Sequence, residues 1–169
     1  MNYHAYYPID VVNGPGTRCT LFVSGCEHRC RGCYNAATWN PDNGIPFTPQ
    51  LEERILQDLA DTDIPRQGLS LSGGDPLYPA NLSAVFSLVK RVKQELPDKD
   101  IWCWTGYRLG QLTQQQQRVL SFIDVLIDGP FVEPLKDPRL VWRGSQNQRI
   151  VPIAAWLAAN HRVDNQSIG

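Results

Sequence analysis

Apolar positions along the chain follow two periods that alternate. Thr20-Leu21-Phe22-Val23 is a short β-rich run ending at Ser24-Gly25, which predicts a first strand. Thr48-Pro49 supplies an N-cap and first-turn pair, after which Leu51, Ile55 and Leu59 recur at i, i+4 and i+8, predicting a helix. Residues 68–72 predict a second strand, cut off by Gly73-Gly74-Asp75-Pro76. Asn81 then caps a second helix whose apolar positions Leu82, Val85, Phe86, Val89, Val92 and Leu96 keep helical spacing until Pro97. A third strand is predicted at 101–104, a third helix at 113–123 and a fourth strand at 125–127, ending at Asp128-Gly129-Pro130. Beyond Gly144 the pattern weakens to a further strand at 148–151, a short helix at 153–160 and a frayed tail at 163–169.

The order βαβαβαβ implies right-handed crossovers, a mostly parallel sheet and ligands at the carboxyl ends of the strands. The chain has 169 residues, whereas a closed eight-fold α/β barrel takes about 250. The expected fold is therefore α/β, an open sheet or partial barrel, with one domain over 1–150 and a tail of uncertain structure over 151–169.

Composition narrows the function class. Sixteen Lys+Arg face seventeen Asp+Glu, and the basic residues are scattered, so the stripe expected of a nucleic-acid binder is missing. The longest apolar stretch, 151–159, is far short of the roughly 18 residues of a membrane span and contains Pro152. The first eight residues carry neither the basic nor the apolar region of a signal peptide, so a cytoplasmic protein is expected. Five cysteines are an odd number, and three lie within eight residues, which suits metal binding better than a disulfide framework.

Those three are Cys26, Cys30 and Cys33, spaced C-x3-C-x2-C. A saturated 4Fe-4S cluster takes four cysteines, so three in one loop leave an iron with an open position, and an open position means chemistry. Two other readings compete. Zinc could be held by the three thiolates with His28 or Cys19, although zinc sites normally pair chelating dipeptides far apart in sequence. A redox pair at Cys30 and Cys33 fits C-x-x-C beside a βαβ pattern but leaves Cys26 unexplained. Cys19 and Cys103 fall in or beside predicted strands and read as buried core thiols. His28 reads as a solvent-exposed loop histidine, with a hydrogen bond to a cluster sulfur as the alternative.

The cysteine loop after the first strand and the Gly-Gly-acid-Pro turn after the second together resemble the radical S-adenosylmethionine superfamily. Gly14-Pro15-Gly16-Thr17-Arg18-Cys19, Ser24-Gly25-Cys26, Gly32-Cys33-Tyr34-Asn35, Ser72-Gly73-Gly74-Asp75-Pro76, Trp104-Thr105-Gly106-Tyr107 and Asp128-Gly129 resemble, more narrowly, its activating proteins of anaerobic ribonucleoside-triphosphate reductases. The likeness runs over about residues 1–148. Gly32 stands where many superfamily members carry an aromatic residue, with Tyr34 just after the cysteine, an arrangement expected in this subfamily. Arg31 replaces an expected small or imino residue.

The resemblance implies a small radical-SAM core, with one 4Fe-4S cluster on Cys26, Cys30 and Cys33 and S-adenosyl-L-methionine on its open iron. Reductive cleavage would give methionine and a 5'-deoxyadenosyl radical, which takes a hydrogen from a glycine of the reductase's large, glycyl-radical subunit. A flavodoxin-type protein would donate the electron. Gly73 and Gly74, lacking side chains, let backbone approach the cofactor's amino-acid end, and Asp75 fixes that turn. Gly32, Cys33 and Tyr34 would lie beside the adenine. Thr105 and Asp128 end strands on the ligand side, Asp128 either with a role through a bound cation or as a buried strand-end carboxylate capping a neighbouring backbone. Trp102 and Trp104 share one strand face and read as core or partner-contact area.

Overall fold

The computed structural model describes the backbone of residues 1–166 and the side chains of residues 1–160. It contains seven strands, β1 (Asn2–Asp10), β2 (Arg18–Val23), β3 (Ile45–Pro46), β4 (Gly68–Gly73), β5 (Asp100–Trp104), β6 (Val125–Asp128) and β7 (Arg149–Pro152). Four α-helices accompany them, α1 (Pro49–Ala60), α2 (Leu82–Glu95), α3 (Gln114–Leu120) and α4 (Ile153–Gln166). The strands form one sheet in the order β3-β1-β2-β4-β5-β6-β7. Its centre, β2-β4-β5-β6, is parallel, and β1, β3 and β7 add antiparallel margins. The fold is an open α/β sheet of partial-barrel type.

Alternation along the parallel strands sorts the two faces. Cys19, Leu21 and Val23, Leu69 and Leu71, Ile101 and Cys103, and Leu126 are fully buried with Ile55 and Leu59 of α1 and Val85, Val89 and Val92 of α2 in one hydrophobic core. Residues of opposite parity, Phe22, Ser72 and Trp104, instead line a groove. At the start of β2 the opposite face is plugged by Arg18, whose buried guanidinium donates to Ser70 Oγ (2.7 Å), Leu69 O (3.1 Å) and Asp100 Oδ1 (2.5 Å).

The helices begin where local chemistry starts them. Thr48 Oγ1 accepts the Leu51 N–H at 3.2 Å with Pro49 in the first turn of α1. Thr113 and Gln116 form a reciprocal capping box on α3. Asn81, in contrast, makes no cap bond to α2; its side-chain amide donates to Ser24 O (2.8 Å) and Asp75 O (3.1 Å), tying two strand-end loops together.

One expectation about the strands changes and another holds. The run at 20–23 is not the first strand, because β1 precedes it and pairs antiparallel with β2 from Tyr3↔Val23 to Asp10↔Arg18. The strand expected at 148–151 is present as β7, where Val151 and Pro152 pair with Leu126 and Val125, and Ile153 just beyond it is buried in the core. The helix expected at 153–160 extends to Gln166, and residues 167–169 of the expected tail lie outside the described residues. No described helix is long and apolar enough to cross a membrane.

Candidate metal centre and cofactor groove

The parallel strands deliver their carboxyl ends to one pocket of about 110 Å³. Cys26, His28, Cys30 and Cys33 come from the loop after β2, and Ser72, Gly73 and Gly74 from the end of β4. Trp104, Thr105 and Gly106 follow from β5, and Gly129 and Phe131 from β6. The three cysteines are free, partly buried thiols. Burial pushes the Cys26 thiol up to about 11, opposed by the backbone amide of His28. Burial also raises Cys30, opposed by the backbone amide of Phe131, which reaches the loop from β6. The Asn35 N–H donates to Cys33 Sγ at 3.4 Å. Each sulfur therefore has a backbone amide beside it, the kind of contact that tunes metal-bound thiolates.

The donor set fits a cluster better than one ion. Around a single tetrahedral zinc, sulfurs at about 2.3 Å from the metal lie about 3.8 Å apart. Among the described residues, the set of three ligand atoms mutually within 4.8 Å is Cys26, His28 and Asp75, not the three cysteines. Three more widely spread sulfurs suit irons at separate corners. Trp39 lines the same pocket, and its buried indole N–H finds no acceptor among the described residues, a donor left over for a bound group. Cys19 and Cys103 are fully buried in the core, as expected.

Gly73 and Gly74 are where close approach decides the residue type. Gly73 has φ +104°, and a Cβ there would sit 2.6 Å from both Val23 N and Val23 O. Gly74 donates its N–H to Val23 O (2.8 Å), and Asp75 donates to Gly25 O (2.7 Å), so the turn after β4 is bonded to the start of the cysteine loop.

The remaining candidate residues fall in two groups. Thr105 stands on the pocket wall, while Cys33 and Tyr34 line an adjoining groove of about 510 Å³ with Phe22, Ser72, Trp104 and Phe131. Tyr34 is 67% exposed, against the side of Phe131. Gly32 lies at a turn with φ +74°, facing Glu133. Asp75 is wholly buried behind the pocket wall, and Asp128 is buried at the end of β6. Both Asp128 oxygens are taken by Arg149 (3.0 and 2.5 Å), and Oδ2 also accepts the Leu109 N–H (2.9 Å). That arrangement caps a neighbouring turn. His28 is not a solvent-exposed histidine: its side chain is 14% exposed, and Nε2 lies 2.7 Å from Asp75 Oδ2.

Sequence patterns did not reveal the segment between β6 and β7. Trp142 adopts φ +59°, unusual for a bulky residue, and is held there by a bond from Trp104 Nε1 to its carbonyl (2.7 Å) and by its ring against Trp102. Next to it, Arg143 lines the groove; its hydrogen bond goes to Gln148 O (3.0 Å), and its buried Nε has no partner among the described residues. Gln148 in turn accepts from Gly144 and Ser145 and donates to Gly129 O, closing the loop on itself. Turn-forming Gly129, Pro130, Pro134, Pro138 and Gly144 mark this segment in the sequence as loop, but none of them points to Trp142 or Arg143.

The fold and the three-thiol pocket define an iron–sulfur protein, and residues 12–151 match the family described as the 4Fe-4S single cluster domain. The chain is 65% identical over 150 residues to the anaerobic ribonucleoside-triphosphate reductase-activating protein of Vibrio cholerae serotype O1, covering 89% of this chain and 97% of that one. It is 61% identical over 148 residues to the protein of the same name from Escherichia coli K12 (88% and 96%) and 49% identical over 150 residues to that of Enterobacteria phage T4 (89% and 93%). The chain belongs to the family of anaerobic ribonucleoside-triphosphate reductase-activating proteins.

Proposed function

We propose that this chain activates an anaerobic ribonucleoside-triphosphate reductase, with a 4Fe-4S cluster on Cys26, Cys30 and Cys33 and S-adenosyl-L-methionine in the adjoining groove. The observation that carries the reading is the pocket itself, where three amide-flanked thiols share one wall with the side-chain-free Gly73-Gly74 turn. The chemistry supplied when cluster and cofactor are bound is one-electron reductive cleavage of a sulfonium, ending in hydrogen abstraction from a glycine Cα of the reductase's large subunit.

The chain's own residues bind, orient and exclude water. Gly73 and Gly74 offer backbone groups to the cofactor's amino-acid end, and Arg143 offers a cation to its carboxylate. Tyr34 and Phe131 give the adenine an aromatic wall beside Cys33, with Gly32 shaping the turn before it. Thr105 closes the far side. Asp128 works at one remove, through Arg149 and the turn at Leu109. The groove's 510 Å³ lies in the range of small-molecule sites, and its open flank leaves a glycine-bearing segment of the partner a way in. A flavodoxin-type protein is the electron donor in this scheme. The reducing cytoplasm is the setting that suits five free thiols.

The test is anaerobic reconstitution with iron and sulfide, followed by electron paramagnetic resonance of the reduced protein with and without S-adenosyl-L-methionine. A 4Fe-4S signal that changes on addition, release of 5'-deoxyadenosine and a glycyl radical on the added reductase are expected. Stoichiometric zinc and no response to the cofactor would refute the reading.

A further inference from the structure

Three segments distant in sequence meet at one buried carboxylate. Asp75 Oδ1 accepts the Leu77 N–H (2.8 Å) and the Thr105 hydroxyl (2.9 Å). Oδ2 accepts the same hydroxyl (2.9 Å), the Gly106 N–H (2.9 Å) and His28 Nε2 (2.7 Å). The lone pairs of the carboxylate are thus spent on the turn after β4, the turn after β5 and the cysteine loop. Little acceptor capacity remains for a ligand, and Asp75 is fully buried.

His28 is clamped on its other sides as well. Its ring packs edge-on against Tyr107 at 4.3 Å, and a Cβ on Gly106 would collide with it, so the glycine there makes room for the imidazole. Tyr107 also donates its hydroxyl to Glu27, the residue before His28. Both residues that follow Cys26 are therefore fastened to the β5 turn. The imidazole, the Asp75 carboxylate and Cys26 Sγ lie within 4.8 Å of one another.

We propose that Asp75 and His28 are positioning residues: they hold the Cys26 arm of the cysteine loop in the shape the cluster needs, and neither contacts S-adenosyl-L-methionine. This rests on the reading that Cys26, Cys30 and Cys33 carry a 4Fe-4S cluster. The effect runs through the loop, because a sulfur held in place needs no rearrangement when iron binds, and a loop free to open gives its iron up sooner.

The test compares the wild type with His28→Ala and His28→Gln, reconstituted without oxygen. Asp75→Ala would strand several buried donors and fold poorly, so the histidine pair carries the experiment. Three quantities are read: the rate at which a chelator strips iron, the midpoint potential of the cluster, and the affinity of the cluster-loaded fraction for S-adenosyl-L-methionine. His28→Ala should lose iron about tenfold faster or more, shift the potential, and keep the cofactor affinity of its loaded fraction within about twofold. His28→Gln, whose amide nitrogen can take the place of Nε2, should return all three towards wild type. Wild-type retention and potential in His28→Ala overturn the proposal. Weakened cofactor affinity with retention unchanged also overturns it, making His28 a cofactor contact, as does a glutamine variant that fails as fully as the alanine. A wild-type protein that takes up no 4Fe-4S cluster overturns the parent reading first and this one with it.

Discussion

Replacing Gly74 by alanine adds one methyl group where the chain has no room. The new Cβ would stand 2.6 Å from Gly25 O and 2.9 Å from Thr38 O, whereas ordinary contact begins near 3.4 Å. Both neighbours are backbone, so neither can turn aside as a side chain could. Gly25 O is the acceptor of the Asp75 N–H at 2.7 Å, and Thr38 O is the acceptor of the Gly25 N–H at 2.7 Å. Opening the contact therefore pulls on both bonds that fix the residue before Cys26. Overpacking of this kind costs about 1–3 kcal/mol, which in a domain of this size lowers the melting temperature by roughly 2–4 °C per kcal/mol. Displacing the thiol by several tenths of an ångström, on the side proposed to hold the cofactor, should cost more in turnover than in folding, on the order of 100-fold for a misplacement near 1 Å. Thermal unfolding followed by circular dichroism reads the first effect, and 5'-deoxyadenosine released per cluster reads the second. An alanine variant that melts with the wild type and turns over at the wild-type rate would refute the close-contact argument, because the Gly74 backbone itself accepts any side chain.

Two further outcomes follow from the same structure. Cys26→Ala, Cys30→Ala or Cys33→Ala should each reduce reconstituted iron to background, while Cys19→Ala and Cys103→Ala, both in the core, should keep wild-type iron per folded protein; iron lost from a well-folded Cys19 variant would redraw the ligand set. Burial pushes the Asp10 carboxyl up, but hydrogen bonds from Thr20, Asn13 and the Val12 amide outweigh it and hold the group below its ordinary 3.8. A carboxyl lowered on folding stabilises the protein above the unfolded value and ceases to do so as pH falls through the folded one, so melting temperature between pH 6 and pH 3 should fall less steeply in Asp10→Asn than in wild type, and parallel curves would refute the assignment.

The parts of the fold that could be read from the sequence are those whose burial is periodic. Helix α2 keeps Val85, Val89 and Val92 on its buried face, and the parallel strands end in glycine-rich turns, so element type, order and the end that carries the cysteine pocket all follow from pattern. Strand β1 escapes because it has a full-length neighbour on one side only, carries Pro8 near a register shift, and leaves Tyr7 and Ile9 half exposed. Its burial has no clean period. The three-cysteine loop is legible because its spacing is local. The bond between His28 and Asp75 joins residues 47 apart, and neither composition nor spacing can announce such a pairing. Trp142 and Arg143 sit in a segment whose shape comes from Gln148 and Trp104, partners outside any repeating pattern.

The reach of the Phe131 amide to Cys30 also sets an order of events at the ribosome. The cysteine loop is made early, whereas Thr105, Gly106 and finally Phe131 arrive up to about a hundred residues later, roughly 5–20 seconds at ordinary synthesis rates. For that interval the three thiols exist without the partners that shape them, open to stray metals and oxidants. Iron arriving before Phe131 has been made would meet an unfinished socket.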